Sequence, residues 1–169
     1  MRRTTRRLLL VAISIAGLAI LDRSGVFGHN RNDHHRYHRR ECQVLRALAA
    51  NGLELAIHDG DTYATQVRLI GLDSTIEGMH SATAHEFLHK LAVGQRVQLE
   101  LEPDRTRDRS GNLMAYVYLQ DDLLLNAHLL ETGHARADTR VHTRSRDFIQ
   151  LQNRAKRQGH GIWAQRQDP

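Results

Sequence analysis

At 169 residues with a formal charge of +5, the chain is long enough for one domain with a substantial core and additional segments. The charge is unevenly placed: residues 1–41 hold nine Arg against Asp22, Asp33 and Glu41, net +6, so residues 42–169 carry 15 basic and 16 acidic side chains, net −1. That balance excludes a global basic field drawing the folded part to nucleic acid, and a single cysteine, Cys42, excludes an internal disulfide.

Met1–Arg7 carries four arginines, and Leu8–Leu21 follows as fourteen apolar or small residues. This run is shorter than the roughly 20 residues of a spanning helix and suits a signal-peptide core. Residues 1–28 therefore read as a signal peptide or, with the arginines held in the cytoplasm, an uncleaved signal anchor. Either places the domain outside the cytoplasm, secreted or membrane-anchored. Thr5–Leu10 also resembles a twin-arginine signal. Residues 29–41 are rich in His and Arg without apolar periodicity, and are expected to form a disordered basic linker beside an anionic membrane surface. The four histidines there have no spacing that sets a metal geometry.

The folded part is expected over residues 42–165. Val44–Ala50 reads as a strand, Asn51-Gly52 as a break, and Leu53, Leu55 and Ile57 alternate as a second strand. Asp59-Gly60 is a hairpin signal, after which Thr62–Leu72 forms a third strand. Met79–Val93 predicts a helix with Ala84, Phe87, Leu88 and Leu91 on one face. Val97, Leu99 and Leu101 alternate as a fourth strand, Pro103–Gly111 is a charged loop, and Asn112–Leu119 is the fifth strand. Leu123–Thr132 predicts a short helix closed by Gly133. Ser145 is expected to cap a last helix through Arg157, with Phe148, Leu151 and Ala155 inward.

The stretch Val67–Glu77 concentrates the chemistry. Arg68 lies inside an apolar strand, where a guanidinium must meet an anion or point out of the fold. Asp73 falls where the strand ends. A guanidinium and a carboxylate held on one rigid element suit phosphate and metal binding, and equally suit a strand-end ion pair. Arg136–Arg157 adds six arginines and Lys156, a solvated helix face or a local phosphate-binding strip, with almost no aromatic residues for base stacking.

Val67-Arg68-Leu69-Ile70-Gly71-Leu72-Asp73 resembles the third strand of the staphylococcal-nuclease-like (thermonuclease) family. The resemblance continues through Leu113–Tyr118, Asn126…Leu129-Leu130…Gly133-His134-Ala135 and Gly161-Ile162-Trp163, covering roughly Cys42 to Trp163. It implies an α+β, mainly β fold: a five-stranded OB-type barrel with three helices. It also implies phosphodiester hydrolysis of DNA or RNA, with calcium held by two Asp carboxylates and a backbone carbonyl, a Glu activating water, and two Arg clamping the phosphate.

The family's Asp-Gly-Asp-Thr recurs here as Asp59-Gly60-Asp61-Thr62, but only Tyr63–Val67 separates it from Arg68. Five residues do not supply two strands and a turn. With Asp59-Gly60 as the hairpin turn, the first-junction tetrapeptide becomes Ala49-Ala50-Asn51-Gly52. The first Asp ligand then falls on Asn51, the second on Asp73 and the carbonyl ligand on Ser74. Arg68 is retained, the Glu position is Ile76 beside Glu77, and the second Arg position is Asn112. Losing a general base costs about 10²–10⁴ in rate, and losing an arginine on a phosphoryl transition state about 10³–10⁵. Substitutes are Glu77 as base through a one-residue bulge, and Arg109 or Arg107 as phosphate ligand from the charged loop.

The expectation is thus a thermonuclease-like domain with hydrolysis weak or lost, weak or absent calcium binding, and residual phosphate or nucleic-acid binding through Arg68 and Arg109. The alternatives are an active calcium-dependent endonuclease with a rearranged site, and a protein-interaction module on the same barrel.

Overall fold

One long, bent strand begins the barrel. Strand β1 (Glu41–Ala49) pairs with β4 (Arg96–Glu100) through Glu41–Gln43 and with β2 (Gly52–Leu55) through Val44–Ala49. Register shifts at Val44/Arg46 and Ala47/Ala49 bend it between these partners, as bulges do where a sheet must curl. With β3 (Thr65–Leu69) and β5 (Leu113–Tyr118) the sheet closes in the order β1-β2-β3-β5-β4. All pairings are antiparallel except β3 with β5. The computed structural model describes residues 31–73 and 79–164. The expected signal or anchor segment of residues 1–28 lies outside the described residues, as do Ser74, Ile76 and Glu77.

Alternation places Cys42, Val44, Leu53, Leu55, Val67, Leu69, Val97 and Leu99 in the core. Burial pushes the Cys42 thiol up to about 11. Strand β5 is buried from Leu113 to Val117, because the barrel covers one face and helix α3 (Leu125–Glu131) and its flanks cover the other. Helix α2 (Met79–Ala92) packs on β1, and Phe87 stacks on His134 with ring centroids 3.8 Å apart. Helix α4 (Ser145–Gln158) buries Phe148 and Ala155 and ends at left-handed Gly159. These are the three helices read from the sequence, around the five-stranded OB-type barrel expected.

Three local expectations are corrected. Residues 31–41 are not a free linker: helix α1 (Arg31–Tyr37) docks on the barrel, with Tyr37 fully buried and Asp33 2% exposed. Its backbone continues into the sheet through Arg39 N–H to the Leu99 carbonyl (2.6 Å). One acid and one aromatic, four residues apart, make the contact, too few apolar positions to register as a periodicity. His38 accepts the Leu101 N–H at Nδ1 (3.2 Å), so its lone pair is spent on the backbone rather than on a metal. The third strand is shorter than expected, because Gly71 turns the chain at φ +77° against His142 and Phe148, where a Cβ would meet atoms at 2.6–2.7 Å. Ser145 is the first helical residue instead of the cap, and its hydroxyl donates to the His142 carbonyl at 2.7 Å.

Buried Asn126 joins three elements: its Oδ1 accepts the Val117 N–H (3.0 Å) while Nδ2 donates to the carbonyls of Ile70 (2.9 Å) and Ala115 (3.3 Å). Asn126→Leu removes the partner of the Val117 N–H and of the Ile70 carbonyl in the core, at about 1–3 kcal/mol each, while the Ala115 carbonyl keeps the Ile70 N–H (3.0 Å). Urea unfolding of the variant is expected to show at least about 2 kcal/mol lost.

Candidate functional site

Where β1 turns into β2, Ala50 and Asn51 are buried at the mouth of the barrel. The Asn51 carbonyl accepts the Leu69 N–H (2.9 Å), and its side-chain Nδ2 donates to the Leu72 carbonyl (3.4 Å). Asn51 is thereby fastened to the end of β3. Asp59 and Thr62 exchange backbone hydrogen bonds at 3.2 Å, with Gly60 at φ +59°, so Asp59-Gly60 is the turn between β2 and β3. Asp59 itself faces Tyr37 and Arg107, and Asp61 is exposed.

Arg68 sits between Gly52 of β2 and Met114 of β5, with Val67 and Leu69 pointing into the core on either side. Its guanidinium lies 3.8 Å from the Asp108 carboxylate. Asp108 in turn is gripped by its own loop: the N–H groups of Ser110 (2.9 Å) and Asn112 (3.0 Å) donate to Oδ1, and Asn112 Nδ2 donates to Oδ2 (3.1 Å). Asn51, Gly52, Gln66, Arg68, Asp108 and Asn112 line one open cavity of about 260 Å³. Asn51, Arg68 and Asn112 line this cavity together, whereas Glu77 lies outside the described residues.

Asp73 stands beside this cavity. Its N–H donates to the Arg136 carbonyl (2.9 Å), and the Asp138 N–H donates to that of Gly71 (2.8 Å). This lays residues 136–138 along the exit of β3. Arg140 bonds Asp138 through Nε (2.7 Å), and its pKa is raised by that hydrogen bond, with the Asp73 and Asp108 charges adding to the effect. Asp138 is held below the usual aspartate range: burial raises it, but hydrogen bonds from Arg140 and the Arg140 and Arg68 charges outweigh that.

Arg109 is exposed and absent from the cavity lining, so it is not brought to Arg68. Arg107 is committed elsewhere, to Asp33 and Asp59. Reading the sequence missed Asp108, Gln66, Asp138 and Arg140. Of these only Asp108 left a signal, since Asp108-Arg109-Ser110-Gly111 has the composition of an Asx-type turn.

Among the described residues the donor set falls short of a calcium site. Calcium draws its affinity from anionic oxygens, yet Asn51 is neutral, Asp73 is near a cation, and both Asp108 oxygens accept N–H groups. Among the described residues no group of three or more His, Cys, Asp or Glu could hold a metal. For an anion, the lining offers one cation, Arg68, faced by one carboxylate.

The fold and site thus define an OB-type barrel with an arginine-bearing cavity beside the β1–β2 junction. A family model described as staphylococcal nuclease homologue matches residues 66–165, and the chain belongs to that family. No curated protein matches it. The family match begins at β3, after the junction that carries Asn51.

Two outcomes follow. Millimolar calcium is expected to stabilise the protein by well under the about 2.7 kcal/mol that a ligand confers at 100 times its Kd, read as a melting shift. Acid is expected to destabilise it. Asp59 and Asp138 both have lowered folded pKa values, so their contribution is complete above the ordinary aspartate value of 3.8 and is lost as pH falls through the lowered values. Melting temperature measured from pH 7 downward should drop below about pH 4, and Arg140→Gln should flatten that drop.

Proposed function

We propose that this protein is a staphylococcal-nuclease-fold domain that retains phosphate and nucleic-acid binding at Arg68 while its phosphodiester hydrolysis is weak or lost. The observation that carries this reading is the Asp108–Asn112 loop. Where the family places its second phosphate-clamping arginine, Asn112 donates its amide to Asp108, and that carboxylate faces the arginine that remains. An incoming phosphate meets one cation already shared with an internal anion. A dianionic phosphoryl transition state needs more positive charge than this, whereas ground-state docking of a phosphodiester needs one good donor.

Localisation belongs to the same proposal: residues 1–28 export the domain or anchor it to the membrane, with residues 31–164 outside the cytoplasm. The support is the arginine-flanked apolar run Leu8–Leu21. No helix among the described residues is long and apolar enough to cross a membrane.

Cleavage of single-stranded DNA and RNA by the purified full chain tests the first part. The rate is expected to fall at least about 10³ below that of a family member with the full residue set. Arg68→Ala should weaken binding of a labelled oligonucleotide about tenfold, the loss of one charge-assisted hydrogen bond. Single restorations should do little, because such groups act as a unit. Asn51→Asp, Thr75→Pro, Ile76→Glu and Asn112→Arg combined should raise calcium-dependent cleavage by orders of magnitude. Robust calcium-dependent cleavage by the unmodified protein, abolished by Arg68→Ala, would overturn the proposal in favour of an active endonuclease with a rearranged site.

A further inference from the structure

We infer that Asp33, on the helix that precedes the barrel, is a positioning residue for the Arg68 cavity and acts through Arg107. Asp33 is 2% exposed. It receives a two-pronged contact from Arg107, Nε to Oδ2 at 2.7 Å and Nη2 to Oδ1 at 2.9 Å, across 74 residues of chain. Thr106 adds its hydroxyl to Oδ2 at 3.0 Å. The remaining face of the guanidinium is used as well: Nη1 donates to Asp59 (2.7 Å) and to the Gly111 carbonyl (3.0 Å). Asp59 is itself held from the far side by the hydroxyl of Tyr37, also on α1 (2.8 Å).

The Gly111 carbonyl is the point of leverage. Residues 108–112 form a tight exposed turn in which Gly111 N–H bonds the Asp108 carbonyl (3.1 Å) and Asp108 N–H bonds that of Asn112 (3.0 Å). That turn places the Asp108 carboxylate and the Asn112 amide on the cavity. Such a turn has few apolar contacts of its own and opens readily unless tied down. Arg107 ties it, and Asp33 orients Arg107 with the fork geometry a guanidinium offers a carboxylate. A largely buried ion pair is weak evidence for stability, its desolvation cost offsetting much of the attraction. Its effect here is geometric: it sets where the Asp108 turn sits relative to Arg68.

The consequence for binding rests on the phosphate-binding reading above, whereas the consequence for the turn does not, and the test separates them. In the full chain, Asp33→Asn keeps the shape of the side chain and removes its charge. Amide hydrogen exchange at Ser110, Gly111 and Asn112 is expected to accelerate about tenfold or more while the Val117 amide on β5 keeps its protection. Arg107→Lys, which retains a cation for Asp33 but lacks the fork that also reaches Gly111 and Asp59, should loosen the same three amides and guards against a misfolded Asp33 variant. Oligonucleotide affinity is then measured in a cycle with Arg68→Ala. Asp33→Asn should weaken binding about fivefold when Arg68 is present and by less than about twofold when it is absent, a coupling between side chains that do not touch. Unchanged protection at the three amides overturns the inference, as does an equal effect of Asp33→Asn in both backgrounds. Loosened amides without any Arg68-dependent oligonucleotide binding uphold the positioning role and refute the nucleic-acid reading.

Discussion

A guanidinium on a barrel strand, with core residues on either side of it, is turned to the outer face of the barrel, and where it is partly covered it must find an anion there. Arg68 is flanked by two core residues on β3 and hemmed by β2 and β5. Burial of an unmatched cation is costly, so the loop between β4 and β5 is shaped to bring Asp108 within 3.8 Å. Much of what distinguishes this chain follows from that arrangement. The Asn51 junction, the Asp108 turn and the tie to α1 are all neighbours of one cation on a rigid strand.

The barrel supplies the rigidity. Its closure needs β1 to serve two partners, and the two register shifts in β1 make the bend. Parallel pairing of β3 with β5 requires the chain to cross over between them, and α2 and β4 are that crossover. Asn126 then seals the exit of β3 to β5 from beneath. The cavity therefore rests on backbone that has little freedom, while its far wall, residues 108–112, is a turn held by side chains. A stiff floor with a wall set by side-chain contacts lets residues of the wall change without disturbing the core.

The arrangement of charge carries the functional argument further than net charge does. The folded part is close to neutral, and the cavity itself holds one cation against one anion. Among the described residues the cavity presents a single guanidinium on a strand, with amide groups at Asn51 and Asn112. Those amides hydrogen-bond polar ligands but neither hold a divalent cation strongly nor neutralise a developing charge.

Periodicity, turn chemistry and spacing by themselves determined the barrel strands, the helices α2 to α4 and the Asp59-Gly60 turn. These are local properties: two-residue alternation, a left-handed glycine, and a chain length too short for two strands. Tertiary structure alone decided that Asp108, not Arg109, meets Arg68, because adjacent residues in a turn point to different sides and only the N–H groups of Ser110 and Asn112 select which one faces the barrel. It alone decided that residues 31–40 belong to the fold. That segment is attached by Asp33 and Tyr37 reaching residues far along the chain, and a contact between distant polar side chains leaves no periodic trace in the sequence that makes it.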